Sequence, residues 1–329
     1  MTFIRTVLGD IAPDALGITY AHEHLVIDGG RPVELQPDFL LADVEKAVEE
    51  VADARALGLS AIVDAMPCDA GRNAGKLADI SRRTGVHVVA PTGLHLAKYY
   101  GDAHWSARLD ADEIGALFAA DIVEGIDEHD YSGPVVRRTA HRAGVMKIAA
   151  SLDGLTPHEE KIFRAAAMAH AMTGCPILTH SEQGTAALDQ LEALARLGVE
   201  PRHVVLSHTD KVVDRGYHRA ILETGAAVEY DQAFRWKAGE SNGTLALLEW
   251  MIEDGHLDRL MLGMDAARQG YWATYGGSPG LSYLLGPFAS EMTERGIGAL
   301  EQRAIFVDNP ARAFAFARPT DQMGADDHG

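Results

Sequence analysis

Ile18-Thr19-Tyr20-Ala21-His22-Glu23-His24-Leu25 is the stretch on which the fold turns. Side chains alternate faces along an extended strand, so His22 and His24 point one way and Glu23 the other. Two adjacent imidazoles make half of a metal site, or else a hydrogen-bonded pair inside a core, and the surrounding chain decides between them. After a polar connection containing Pro32 and Pro37, Asp43 caps a helix in which Val44, Val48, Val51 and Ala52 recur at helical spacing. Gly58 stops that helix, and Ser60-Ala61-Ile62-Val63-Asp64-Ala65 reads as a buried strand.

The same strand and helix unit repeats along the chain. A helix near 72–84 precedes a strand at 86–90, and a long excursion over 93–144 holds a helix around 111–124. Strands at 145–149, 177–180, 203–208, 226–230 and 259–265 follow, separated by helical patterns near 157–173, 185–197, 215–223 and 244–254. Nearly apolar strands alternating with helices imply a parallel sheet covered by helices. Eight of them close most simply into a (β/α)8 TIM barrel of the α/β class. Residues 1–17 add a short N-terminal β-hairpin, and the C-terminal part adds a helix near 281–295 and a last one opened by Asp308-Asn309-Pro310 and running to 316. With no repeat, low-complexity stretch or linker, residues 1–329 read as a single domain ending in a disordered acidic tail at 319–329.

A length of 329 residues, 47% hydrophobic and 23% charged, is ample for one large core. The net charge of -19 opposes binding to nucleic-acid backbones or anionic membrane surfaces. No apolar run approaches the roughly 20 residues of a membrane span, and the first ten residues lack the apolar core of a secretory signal. The expectation is a cytoplasmic protein. Cys68 and Cys175 fall at opposite ends of barrel strands about 17 Å long, beyond the ~7 Å Cα limit of a disulfide, so both should be reduced.

The polar residues at the strand ends then fall into register. Strand one ends in His22 and His24, strand four carries Lys147, strand five ends at His180, strand six at His208 and strand eight at Asp265. Side chains at the C-terminal ends of barrel strands converge on one mouth, where this fold does its chemistry. Each residue alone would be unremarkable; together they point to a metal-dependent enzyme.

The stretches Gly17-Ile18-Thr19-Tyr20-Ala21-His22-Glu23-His24-Leu25, Ala143-Gly144-Val145-Met146-Lys147-Ile148, Pro176-Ile177-Leu178-Thr179-His180, Val204-Val205-Leu206-Ser207-His208-Thr209-Asp210 and Met261-Leu262-Gly263-Met264-Asp265 resemble the phosphotriesterase-related family of the amidohydrolase superfamily. The resemblance implies a binuclear centre. In it His22, His24 and Asp265 would hold one divalent ion, His180 and His208 the other, and Lys147 would bridge both as a carbamate. An ammonium beside two dications is disfavoured, so Lys147 should lose its proton and be free to react with carbon dioxide. The alternative for Lys147 is a buried lysine paired with Asp64 or Asp265. Zinc suits imidazole and carboxylate donors, and manganese, cobalt or iron would also fit.

The resemblance further implies a hydrolase of lactone, ester or phosphotriester bonds, in which a hydroxide bridging the ions attacks and Asp265 moves the proton to the leaving group. Arg235, Lys237, Arg268 and Tyr271 lie in the loops after strands seven and eight, which often bind phosphate in this fold. In so acidic a chain, cations there suggest an anionic small-molecule substrate; the alternative is that Arg235 pairs with Asp231 and Arg268 caps an acidic loop. A phosphorylated sugar lactone is therefore expected, with a plain lactone, a carboxylester or a phosphotriester as alternatives. His95, Tyr99 and Tyr100 would line the opposite wall. A metal-stabilised binding protein without activity is the rival class, and it would have little need of Asp265 and Lys147 beside four histidines. A homodimer is the weaker implication of the resemblance. Gly71-Arg72-Asn73-Ala74-Gly75-Lys76 has the wrong glycine spacing for a P-loop.

Overall fold

In the computed structural model, residues 2–236 and 241–317 are described. Lys237 and the tail at 319–329 lie outside them. Strands β1 (Ile4–Thr6) and β2 (Gly9–Ile11) pair antiparallel as the expected hairpin. Arg5 O lies where a Cβ of Gly144 would fall, just before the fourth barrel strand, so the hairpin sits at the N-terminal end of the barrel.

The barrel strands are β3 (Thr19–Glu23), β4 (Ala61–Asp64), β5 (His87–Val89), β6 (Pro91–Gly93), β7 (Val145–Ala150), β8 (Ile177–Ser181), β9 (Val204–Ser207), β10 (Ala227–Tyr230) and β11 (Leu260–Leu262). They form two parallel runs, β3-β4-β5 and β6 through β11. The third barrel strand is thus split: β5 pairs with β4, whereas β6 pairs with β7. Pro91 lacks the N–H that would carry the first ladder on, and the chain changes partner there. The ring closes where Met264 N and Asp265 N donate to His22 O at 3.2 and 3.1 Å. The (β/α)8 expectation therefore holds, with strand three broken.

Between strands run α1 (Val44–Ala56), α2 (Ala74–Thr84), α3 (Ala111–Val123), α4 (Pro157–Thr173), α5 (Ala187–Arg196), α6 (Arg215–Glu223) and α7 (Gly243–Glu253). Asp43 caps α1 as its position predicts, accepting from Glu45 N and Lys46 N. The helix expected at 281–295 is not continuous: a 3-10 turn at Leu281–Tyr283 and a π turn at Leu284–Phe288 precede α8 (Ala289–Glu294), because Pro287 cannot donate within the helical ladder. After α9 (Ala299–Arg303) comes α10 (Asn309–Ala313), which ends before 316 because Phe316 N donates instead to Phe3 O of the hairpin, at 2.9 Å.

Two apolar layers result. Ala21, Ala61, Val63, Val145, Leu178 and Val205 fill the barrel interior, and a larger cluster packs the outer faces of the strands against the helices. Cys68 and Cys175 are buried and free. No helix among the described residues is long and apolar enough to cross a membrane.

Two polar clamps hold the loops at the mouth. Arg72, 3% exposed, donates from Nε to Asp130 Oδ1 (2.8 Å) and from Nη1 to Asp121 Oδ2 (2.9 Å) and Pro91 O (2.7 Å), which binds the 93–144 excursion to the barrel. Glu50 of α1 accepts from Thr274 N and Leu281 N, each at 2.9 Å, fixing both ends of the glycine-rich turn within the loop after β11. Where the excursion begins, Gly93 adopts φ +107°, and a Cβ there would overlap the Lys147 carbonyl. Gly93→Ala is therefore expected to destabilise the protein by about 3 kcal/mol through overpacking and backbone strain. A shift of the urea midpoint measures this, and an unchanged midpoint would refute it.

Candidate metal centre

Five strands deliver one cluster. His22 from β3 and Lys147 from β7 are 1% exposed, His208 just past β9 is 2% and His24 8%, while Asp265 and His180 open onto the cavity. His24 Nε2 lies 3.2 Å and His22 Nε2 3.6 Å from Asp265 Oδ1. The ring centroids of His22 and His208 are 4.9 Å apart, those of His180 and His208 4.5 Å. His22, His24 and Asp265 offer donor atoms mutually within 4.8 Å. Glu23, as strand alternation requires, points away from the cavity. It accepts from Met264 N (2.7 Å) and Ala266 N (3.2 Å), bracketing Asp265. Asp265 and His208 hold left-handed φ of +48° and +66°, which turns their side chains back over the barrel at a cost on the order of 1–3 kcal/mol each.

The free nitrogens face one another. His22 carries Ser207 Oγ (3.0 Å) and Glu229 Oε2 (3.3 Å) at Nδ1, leaving Nε2 toward the cavity. His180 pairs with Glu182 Oε2 through Nε2 at 2.6 Å, and His208 Nδ1 lies 2.5 Å from Asp231 Oδ2 but out of line for a hydrogen bond. Lys147 Nζ is buried with no hydrogen-bond partner among the described residues. Such a cluster of buried nitrogens without partners is costly in an apolar interior unless something else engages it. Four imidazoles, a carboxylate and an amine suit a pair of borderline divalent ions.

Electrostatics agree. Burial, and secondarily Lys147, hold His22 well below the ordinary imidazole range; burial and His180 do the same to His208, and burial also lowers His180. These rings are neutral near pH 7 and keep a lone pair for a metal. Burial lowers the Lys147 amine to about 8, against the pull of Asp265 and Glu229. Burial pushes Asp265 up, but the hydrogen bond with His24 and the charges of His208 and Arg235 outweigh it and hold the carboxylate well below its usual range. Burial, reinforced by Asp231, pushes Glu229 well up; positive charge placed beside it would act in the opposite sense.

Above the cluster opens a cavity of about 380 Å³. His95, Tyr99, Arg235, Arg268 and Tyr271 line it, together with Lys98 and Lys211. Tyr100, expected on the wall, does not: its hydroxyl accepts from His95 N at 2.8 Å and its ring lies against His104. Arg235 reaches Asp265 rather than only Asp231, donating from Nη2 to Asp265 O (2.7 Å) and Oδ2 (3.2 Å). Arg268 pairs with Asp38 at 2.6 Å and lies 4.5 Å over Phe39. Lys98 bonds Glu182 at 2.8 Å, whereas Lys211 makes no ion pair among the described residues. Sequence reading missed Lys98, Lys211, Glu182 and Glu229. For Glu229 a signal existed: it and Asp231 alternate with Tyr230 at the end of an apolar strand, the pattern that singles out His22 and His24.

The sequence matches the Phosphotriesterase family over residues 2–314. It is 34% identical over 324 residues to a phospho-furanose lactonase of Mycoplasmopsis synoviae (strain 53), covering 95% of this chain and 92% of that protein. The structure superposes on an amidohydrolase from Mycoplasma synoviae with a TM-score of 0.93 at 33% identity, covering 97% of this chain and 94% of that one. It superposes on a lactonase from Listeria monocytogenes with a TM-score of 0.86 at 32% identity, covering 96% and 100%. By its matched length, its relatives and its donor cluster, this chain belongs to the phosphotriesterase family.

Proposed function

We propose that this chain is a metal-dependent hydrolase that opens a sugar lactone bearing a phosphate group. The hydrolase class follows from the family and its lactonase relatives. The observation that carries the substrate is the set of cations, Lys98, Lys211, Arg235 and Arg268, around a cavity floored by metal donors in a chain of net charge -19. In so acidic a protein, cations gathered at one mouth favour an anionic ligand there. The printed name of the Mycoplasmopsis relative, a phospho-furanose lactonase, points the same way.

His22, His24 and Asp265 would hold one ion, His180 and His208 a second, and Lys147 would bridge them as a carbamate; zinc suits the set. Bound dications supply Lewis acidity and lower the pKa of water for attack on a carbonyl. Asp265, kept ionised by Arg235 and the histidines, accepts the proton released as the new carbon–oxygen bond forms. When the ring carbon–oxygen bond breaks, the same carboxyl returns that proton to the departing alkoxide, so lactone and water become hydroxy acid. Arg235 also holds the backbone of Asp265, and His95 and Tyr99 wall the cavity opposite.

Phosphorylated and plain aldonolactones assayed side by side test the reading. The phosphorylated substrate should show about 100-fold higher kcat/KM. Arg268→Ala should cost it about 10- to 100-fold, the loss of one charge-assisted contact, while leaving the plain lactone within a few-fold. Equal rates on both substrates, unaffected by Arg268→Ala, would overturn the phosphate assignment.

A further inference from the structure

We propose that Glu229 is a positioning residue for the metal centre: its buried carboxylate takes the Nδ1–H of His22 and so holds Nε2 toward the ions. The inference rests on the binuclear reading above. Glu229 stands on β10, fully buried, with Oε2 3.3 Å from His22 Nδ1. Neither carboxylate oxygen makes an in-line hydrogen bond among the described residues, the contact with His22 Nδ1 included, and the cost of leaving so buried a group unpaired favours closing that contact. The barrel makes room for it: a Cβ on Gly263 would fall 2.6 Å from Glu229 Oε1 and 2.6 Å from His22 O, so the glycine leaves the space this side chain occupies beside His22.

The arrangement has counterparts on the other rings. His180 has Glu182, which also lines the cavity, at Nε2, and His208 has Asp231 beside Nδ1, so three of the four imidazoles stand next to a carboxylate at one ring nitrogen. A carboxylate accepting the outer N–H of a ligating imidazole fixes its tautomer and orientation and raises its basicity; losing it costs about 10- to 100-fold in metal affinity. The competing partner for His22 Nδ1 is Ser207 Oγ at 3.0 Å, whose hydroxyl serves equally as donor or acceptor and thus fixes no tautomer.

The test uses the full chain loaded with zinc and titrated with a graded chelator. Glu229→Met, similar in length and without charge, should weaken retention of one zinc about 10- to 100-fold, Glu229→Gln should fall between it and wild type, and Ser207→Ala should change retention less than threefold. In 15N-histidine-labelled zinc protein, a slowly exchanging Nδ1–H resonance that is absent in His22→Asn should shift or vanish in Glu229→Met. Circular dichroism checks that each variant is folded; should Glu229→Met fail it, Glu229→Gln carries the comparison. Wild-type retention in both Glu229 variants, or the loss appearing in Ser207→Ala instead, would overturn the inference. If wild-type protein itself held no zinc, the binuclear reading would fail, a result distinct from either.

Discussion

Asp265→Asn lowers kcat about 10²- to 10⁴-fold with metal in excess, because asparagine can neither take nor return a proton. The expectation draws on its surroundings. Arg235 Nη2 lies 3.2 Å from Oδ2 and His24 Nε2 3.2 Å from Oδ1, so the carboxylate is ionised when the lactone arrives and aimed across the cavity floor. Glu23 grips the backbone on both sides through Met264 N and Ala266 N, and the left-handed φ of +48° is kept whichever side chain stands there. The variant should therefore fold like wild type and lose rate. Because Asp265 also serves as a donor, metal content is measured on the same sample. Full metal occupancy with unchanged kcat would remove the proton-transfer role.

Lys147→Met abolishes turnover, by on the order of 10³-fold or more, and reduces bound metal from about two ions per chain to about one. Two dications bring about +4 into a site where Asp265 is the one carboxylate donor assigned to them, and a bridging anion on Lys147 offsets part of that charge. Methionine fills the space and supplies no anion. Elemental analysis of the purified variant reads the loss, and two retained ions with wild-type activity would refute the bridging role. The native lysine carries a pH signature as well. An amine lowered by burial to about 8 is mostly protonated below that value and mostly neutral above it, and only the neutral form combines with carbon dioxide. Metal uptake by stripped protein under a constant partial pressure of carbon dioxide, with dissolved CO2 thereby fixed, should accelerate from about pH 6.5 to about pH 9 and then level off. A flat profile would count against reaction through the free amine.

Most barrel strands were readable in the sequence because both faces of a parallel strand are buried, which writes it as a short apolar run between helical patterns. The ligands were readable for a related reason. His22, Lys147, His180, His208 and Asp265 interrupt or end those runs where apolar residues would otherwise continue. The break in strand three was not legible, since 86–90 and Pro91–Gly93 form one apolar stretch and only the pairing shows the change of partner at Pro91. The course of the 93–144 excursion was hidden too, because a buried ionic contact across the sequence, Arg72 with Asp121 and Asp130, fixes it rather than local periodicity. Tyr100 misled because two adjacent tyrosines in a mouth loop look alike, yet Tyr99 faces the cavity while Tyr100 turns behind it to bond His95 N. Glu229 escaped notice because, inside the strand at 226–230, nothing along the sequence shows what it faces; the fold brings it beside His22.

Glu50 ties down both ends of the segment that carries the glycine-rich turn, in which Gly280 N donates to Tyr271 O at 2.9 Å, and it does so from a helix outside the ring of strands. Asp265 answers to a different anchor, Glu23, on the first strand. Chemistry and recognition are thus moored independently, a few residues apart along the chain. Descendants of such a scaffold can exchange the interior of that segment, trading one preferred ligand for another, while inheriting the reactive apparatus intact.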